Sequence, residues 1–224
     1  PHATEYVDSM VNMIGELIRR DNAYVTEDGV YLNVLNVPDY GLLAHQSLDD
    51  MLSGGGDREV FGAGNKKNPA DFALWKFSKP GEPAWSSPWG DGRPGWHSEC
   101  VVMSLDILGE GFDLHCGGMD LKFPHHDNEL AQSEAYYGHH QWVNYFLHAG
   151  HLNIRGLKMS KSLKNFVTIR QALAEHSPRQ LRLMFLLQPW DRVALLVATT
   201  GHDVPDELSL EGRQLVAAAL VLAG

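Results

Sequence analysis

The sequence has few cysteines, a minority of basic side chains and no long apolar run. Two cysteines, Cys100 and Cys116, in 224 residues exclude a disulfide-stapled secreted scaffold and favour a reducing compartment. No segment approaches the roughly 18–20 uninterrupted apolar residues of a membrane span, and residues 1–20 lack the basic start and apolar core of a signal peptide. We therefore expect a cytoplasmic protein without a membrane segment.

Acidic side chains outnumber basic ones by 28 to 18, which gives a formal net charge of −10. This balance excludes a uniformly basic nucleic-acid-binding protein. The apolar share of 44% and the charged share of 21% are typical of a globular protein. Residues 151–192 are the exception in charge, because they contain eight basic and two acidic side chains. Any contact with a polyanion is expected in that segment.

The first ninety residues predict a helix, a hairpin and a loop-rich module. Thr4 is predicted to cap a helix whose apolar residues recur every three to four positions, and Asp21 is predicted to end it. Two short apolar runs around Gly29 predict a hairpin. Residues 48–91 are rich in glycine and proline, which favours loops. The tryptophans of this module fit either core anchors, the preferred interpretation, or a substrate wall.

Helix and strand patterns alternate beyond Trp96. Residues 101–108 and 128–137 predict helices, residues 112–115 a buried strand, and residues 143–148 a second strand rich in aromatic side chains. Such alternation predicts an α/β layer with a parallel sheet.

Cys100, His125 and Glu129 are candidate metal ligands. Pro124 can begin a helix, so that His125 and Glu129, four residues apart, lie on the same helix face. A nitrogen, a carboxylate oxygen and a thiolate form a set suited to zinc, and three protein ligands leave one position open. The same residues also fit a solvated helix pair and a buried cysteine. Cys116 is interpreted as a small residue that fills a strand end.

Two further segments are candidates for binding a nucleotide. Gly118 and Asp120 follow an apolar strand, where a glycine permits close approach of a ligand and a carboxylate can accept hydrogen bonds from a ribose. A tight turn with a capping aspartate fits equally well. Residues 158–165 hold closely spaced lysines and hydroxyls after a glycine, which suits a polyphosphate that gains charge in a transition state. A solvated charged loop is the alternative.

Three motifs resemble those of cysteinyl-tRNA synthetases. Residues 158–162 read KMSKS, the signature of class I aminoacyl-tRNA synthetases. Residues 95–100, GWHSEC, and residues 120–133, DLKFPHHDNELAQS, resemble segments of the cysteinyl family in order and spacing. The resemblance extends over about residues 1–190 and includes the segment 65–76.

The resemblance implies ATP-dependent activation of L-cysteine to cysteinyl-adenylate and its transfer to tRNA(Cys), with Mg²⁺ accompanying ATP. It also implies one zinc ion, bound by Cys100, His125 and Glu129 and by a fourth ligand from upstream or from the substrate thiolate. Trp96 matches the wall of the cysteine pocket. A soft thiolate prefers zinc where a serine hydroxyl does not, so cysteine can be selected without an editing site.

The nucleotide contacts implied by the resemblance lie in two places. Gly118 and Asp120 are expected near the adenosine. Lys158, Ser160 and Lys161 are expected to bind ATP, and the two lysines are the expected catalytic residues.

The implied fold is α/β, namely the C-terminal half of the Rossmann-like class I synthetase fold with an inserted α+β connective module. The expected divisions are the module (1–94), the second half of the catalytic domain (95–150), the KMSKS loop with a helical segment (151–192) and a divergent tail (193–224). The family's HIGH signature and anticodon-binding domain are expected outside this chain, which is therefore expected to be a fragment. The string HAGH at residues 148–151 is rejected as a HIGH signature because it directly precedes KMSKS.

Two other functions fit parts of the pattern. A cysteine ligase acting on an aminosugar would use the same adenylation and zinc chemistry. A non-catalytic remnant or regulatory module would transfer cysteine neither to tRNA nor to an aminosugar.

Overall fold

A computed structural model describes residues 1–48, 65–154, 157–188 and 194–196. The chain divides into two compact units, residues 1–147 and residues 148–224. The expectations for residues 49–64 and for all but three residues of the predicted tail lie outside the described part. In the described part no helix is both long and apolar enough to cross a membrane.

The first helix, α1 (Val7–Arg19), buries one apolar face in the core of the first unit. The predicted spacing is confirmed, because its buried residues are Val7, Met10, Met13, Ile14 and Leu17. The prediction of a Thr4 cap is wrong. Thr4 lies in a separate 3-10 turn, Ala3–Glu5, so Tyr6 stands at the start of α1 and donates its hydroxyl to Asp106 Oδ2 at 3.0 Å.

A four-stranded antiparallel sheet packs into the same core. Its strands, in spatial order, are β1 (Ala23–Val25), β2 (Gly29–Leu32), β3 (Ala73–Phe77) and β4 (Gly92–Pro94). The predicted hairpin is confirmed as β1–β2. Trp75 of β3 is fully buried opposite Val30 and Pro94, which confirms the interpretation of this tryptophan as a core anchor.

The predicted alternation of helix and strand after Trp96 is confirmed. The elements are α2 (Trp96–Leu108), β5 (Phe112–Gly118), α3 (Asp127–Tyr137) and β6 (Val143–Ala149), and β5 pairs with β6. The expectation of a buried strand at 112–115 is wrong. Leu114 is 54% exposed, because alternate side chains of β5 point to a face that the described residues leave uncovered.

A 3-10 turn, Met119–Leu121, and a wider turn, Lys122–His126, connect β5 to α3. The wider turn ends in two buried histidines, His125 and His126. The chain thus enters α3 with imidazoles already directed inward.

The described part of the second unit contains three short strands and two helices. Strand β7 (Leu152–Ile154) pairs antiparallel with β8 (Leu157–Lys158) and parallel with β9 (Ala194–Leu196). Helices α4 (Ile169–Glu175) and α5 (Pro178–Leu186) follow β8. Each helix begins with a capping box, formed by Thr168 with Gln171 and by Ser177 with Gln180. Together the two units contain a mixture of helices and parallel and antiparallel strands, a mixed α/β fold.

Candidate functional site

The structure brings Cys100, His125 and Glu129 together. Cys100 lies in α2, His125 is the penultimate residue of the turn before α3, and Glu129 lies in the first turn of α3. One donor atom from each of the three lies within 4.8 Å of the other two. His125 is 4% exposed and Glu129 is fully buried. The turn before α3 and the first turn of that helix therefore hold a nitrogen and a carboxylate against a sulfur of α2, inside the first unit.

One oxygen of Glu129 has a close neighbour but no hydrogen bond. Oε1 lies 2.9 Å from His125 Nε2, yet the angles do not make a hydrogen bond and no other donor of the described residues reaches this buried atom. A buried carboxylate oxygen without a donor is costly unless a cation compensates it. The sulfur, nitrogen and oxygen donors of this set suit a borderline transition-metal ion. The three residues therefore form a group that could hold a metal ion.

The electrostatics of the set depend on burial. Burial and the neighbouring Glu129 carboxylate raise the pKa of the Cys100 thiol to about 12. Burial also raises the pKa of Glu129, but the close imidazoles of His115 and His125 outweigh it and lower that pKa to about 2. Without a cation the set thus holds a protonated thiol beside an ionised carboxylate. A bound metal ion would favour the thiolate.

Aromatic rings surround the ligand candidate His125. The indole of Trp96 stacks on His125 with ring centroids 4.1 Å apart and planes inclined by 22°. Trp96 is 57% exposed, so it forms an accessible wall beside the donor set. His97 Nδ1 lies 2.7 Å from His125 Nδ1, and burial together with His125 lowers the pKa of His97 to about 4. One imidazole thus orients the other.

Sequence reasoning missed His97 and His115 as members of this site. His97 precedes Cys100 by three residues in α2, a spacing that places both on one helix face and could have identified it. His115 comes from β5, and its Nε2 lies 2.6 Å from Glu129 Oε2. No spacing rule connects a strand residue with a later helix, so the sequence carries no signal for that contact.

The glycines at the end of β5 are explained by close side chains. A Cβ atom on Gly117 would lie 2.7 Å from His126 Cε1, and one on Gly118 would lie 2.5 Å from Asp120 Oδ1. The structure places Gly118 and the exposed Asp120 next to each other. Cys116 is exposed, so the prediction that it fills the strand end is wrong, because it lies on the uncovered side of β5.

The KMSKS loop lies in the second unit and is held by hydrogen bonds from its own side chains to its backbone. Asn165 Oδ1 accepts a hydrogen bond from Ser160 N at 2.9 Å, and Asn165 Nδ2 donates to Lys158 O at 3.0 Å. Ser160 Oγ in turn accepts from Leu163 N at 3.2 Å. Lys158 and Lys161 are exposed at this surface. No spacing or charge pattern singles out Asn165, whose side chain closes the loop.

Residues 1–197 match the family model for the class I (C) tRNA synthetase catalytic domain. The chain belongs to this family. It is 52% identical over 196 residues to the cytoplasmic cysteine–tRNA ligase of Dictyostelium discoideum, an alignment that covers 84% of this chain and 30% of that protein. It is 53% identical over 201 residues to the cysteine–tRNA ligase of Pyrococcus furiosus, covering 90% and 41% respectively.

The human cytoplasmic cysteine–tRNA ligase is 50% identical over 197 residues, covering 84% of this chain and 26% of that protein. The chain thus spans between 26% and 41% of the length of these class I relatives. The resemblance to cysteinyl-tRNA synthetases inferred from the motifs is confirmed.

Proposed function

We propose that the protein is a cysteine–tRNA ligase that activates L-cysteine with ATP and transfers it to tRNA(Cys). The observation that carries this proposal is the buried set of Cys100, His125 and Glu129, in which a carboxylate oxygen lacks a hydrogen-bond donor, in a chain of the class I (C) synthetase family. A zinc ion held by such a set can bind the sulfur of a thiol substrate at its open position. By the names of its relatives we also propose a cytoplasmic location.

Cys100, His125 and Glu129 would hold a zinc ion, with a fourth position open to the substrate or to a further ligand. Zinc would supply a Lewis acid that prefers the sulfur of cysteine to the hydroxyl of serine. The surrounding residues shield these donor atoms from water and hold them in position. Burial of His125 and Glu129 excludes water, and His97 orients the His125 ring from its other nitrogen.

Trp96 would form one wall of the cysteine pocket. Its indole stacks on His125 and leaves more than half of its own surface exposed. A side chain the size of cysteine can therefore contact both the aromatic face and the donor set. Gly118 and Asp120, at the end of β5, would lie near the adenosine of ATP, where the Asp120 carboxylate can accept hydrogen bonds from hydroxyl groups.

Lys158, Ser160 and Lys161 would bind the phosphates of ATP. In the activation step the cysteine carboxylate attacks the α-phosphorus and pyrophosphate leaves with the bonding electron pair. Two exposed ammonium groups on a loop closed by Asn165 suit the charge that develops on the leaving group, and Mg²⁺ would share that charge.

The domain divisions at residues 94, 150 and 192 are proposed on the same grounds. The antiparallel sheet and α1 support an α+β connective module in residues 1–94. The elements α2, β5, α3 and β6 support the second half of a Rossmann-like domain.

The decisive test is zinc content and cysteine-dependent ATP–pyrophosphate exchange, measured on this chain alone and on the chain supplied with the N-terminal part of the Pyrococcus furiosus relative. Exchange that requires added zinc and discriminates cysteine from serine is the expected result for the complemented protein. No exchange in the complemented, zinc-loaded protein would refute the proposal. Transfer of the activated cysteine to an aminosugar and not to tRNA(Cys) would favour the alternative ligase.

Two pairs of variants sharpen this test. Cys100→Ala is expected to lose zinc and cysteine selectivity together, whereas the exposed Cys116→Ala keeps both. Lys161→Ala is expected to slow exchange by about a hundredfold, the scale of one preorganised transition-state donor, whereas Lys79→Ala, at an exposed lysine of the first unit, keeps the parent rate. Full zinc occupancy in Cys100→Ala would remove Cys100 from the ligand set.

A further inference from the structure

A second group of donor atoms adjoins the first and contains no sulfur. His115 of β5, His126 at the end of the turn before α3, and Glu129 of α3 each place a donor atom within 4.8 Å of the other two. Glu129 is fully buried, His126 is 1% exposed, and the side chain of His115 is 23% exposed. Three different elements thus direct two imidazoles and a carboxylate to one place inside the first unit.

Glu129 is shared because its two oxygens face different partners. Oε1 lies 2.9 Å from His125 Nε2, on the side of Cys100, and Oε2 lies 2.6 Å from His115 Nε2. A carboxylate that presents one oxygen to each of two donor groups has the geometry of a bridging ligand, as in sites that hold two neighbouring metal ions.

Aromatic side chains enclose the second group. The rings of His115 and His126 stack with centroids 4.1 Å apart. Phe146 lies 5.6 Å from the first ring and 5.7 Å from the second, and Trp142 lies 6.0 Å from His115. An apolar shell of this kind limits access of water to the donor atoms of the two imidazoles.

Gly117 leaves space for the His126 ring. A Cβ atom there would lie 2.7 Å from Cε1 and 3.0 Å from Nε2 of His126. The strand can therefore approach the imidazole closely only because residue 117 has no side chain. The position of the ring depends on the local backbone as well as on its stacking partner.

We propose that His115, His126 and Glu129 form a second transition-metal site, free of thiolate, that shares Glu129 with the Cys100 set. Its nitrogen and oxygen donors suit Zn²⁺, Co²⁺ or Ni²⁺ and lack the preference for soft ions that a thiolate gives. The proposal does not depend on the synthetase reaction, because it concerns metal binding alone.

Co²⁺ titration of the full-length protein tests the site. Ions per chain are counted by equilibrium dialysis and elemental analysis, and the absorption spectrum reports whether sulfur is bound. We expect two ions in the parent and one fewer in His126→Asn, with the sulfur-to-cobalt charge-transfer band retained. In Cys100→Ala we expect one remaining ion and no charge-transfer band. Adding His126→Asn to Cys100→Ala is expected to remove that remaining ion. Equal ion counts with and without His126→Asn, in either background, would overturn the proposal.

His115→Gln separates metal binding from a simple hydrogen bond. A glutamine amide can still donate to Glu129 Oε2 but offers no imidazole nitrogen, so the variant is expected to bind one ion fewer. An unchanged count would show that His115 only positions Glu129 and would overturn the site. His139→Gln is the matched control, because His139 pairs with Glu110 at 2.8 Å on the surface and belongs to neither donor group. Thermal unfolding of each apo variant checks the fold, and His115→Gln decides the question if His126→Asn fails to fold.

Discussion

Asp71 gives a sharp test of what holds the first unit together. Its carboxylate is 1% exposed and joins three separate segments. Oδ1 accepts a hydrogen bond from Val34 N at 3.0 Å, and Oδ2 accepts from Asn68 N at 2.9 Å and from the hydroxyl of Tyr24. The carboxylate therefore connects β1, the turn after β2 and the loop that leads into β3.

Replacing Asp71 with asparagine keeps the volume but exchanges one acceptor oxygen for a donor group. Whichever way the amide turns, at least one backbone N–H then faces another N–H. A hydrogen bond to a charged group contributes about 1.5–3 kcal/mol, and relief from burying the charge offsets part of the loss. We expect Asp71→Asn to lower the free energy of unfolding by about 3 kcal/mol, a large share of the roughly 5–15 kcal/mol typical of a domain.

Urea unfolding followed by tryptophan fluorescence measures this loss, since the buried Trp75 of neighbouring β3 contributes to the signal. Tyr24→Phe removes the hydroxyl that donates to Asp71 and accepts from Lys67 N, and should cost about 1–2 kcal/mol. Asp91→Asn, an exposed aspartate, should stay within about 0.5 kcal/mol of the parent. An Asp71→Asn protein as stable as Asp91→Asn would refute the view that this carboxylate ties the unit together.

Three further predictions concern the site and its loop. Gly117→Ala should displace the His126 ring and lower stability by about 1–3 kcal/mol, and an unchanged thermal midpoint would contradict that crowding. Asn165→Ala should speed amide hydrogen exchange at Ser160, and equal protection in both proteins would show that another contact closes the loop. Burial and His125 hold the pKa of His97 at about 4, below its ordinary 6.5, so the unfolded chain takes up this proton first as the pH falls. The contribution of His97 to the stability of the apo protein should therefore be fully present above pH 6.5 and be lost, by up to about 3 kcal/mol, towards pH 4. Urea titrations of the parent and of His97→Gln measure it as the difference between the two proteins.

The sequence predicted those elements whose signal is local. The buried face of α1 follows from helical periodicity, and the β1–β2 hairpin follows from a glycine between two apolar runs. Strand β3 was missed because it lies in a segment rich in glycine and proline. Its strand character depends on pairing with β2, more than forty residues earlier, which no local pattern reveals.

The same distinction applies to the site. His125 and Glu129 could be paired from their spacing, and Cys100 could be added from the chemistry of a mixed donor set. Their neighbour His115 could not be found in this way, because β5 reaches Glu129 through tertiary packing. The prediction of a buried strand at 112–115 was wrong for a related reason. An apolar run predicts a strand, but it does not reveal which of the strand's faces other segments will cover.

Burial makes the ionised Glu129 carboxylate energetically unfavourable without a cation, and it also determines how metal binding at this site depends on pH. The carboxylate stays ionised because imidazoles contact it, while the same burial, together with Glu129, keeps the proton on Cys100, whose pKa is about 12. A metal ion that binds both must displace that proton, because only the thiolate is a ligand. Ion affinity should consequently rise with pH, even though the carboxylate is already charged. The apolar enclosure that prepares the centre for a cation thus also couples its occupancy to a single proton on the sulfur.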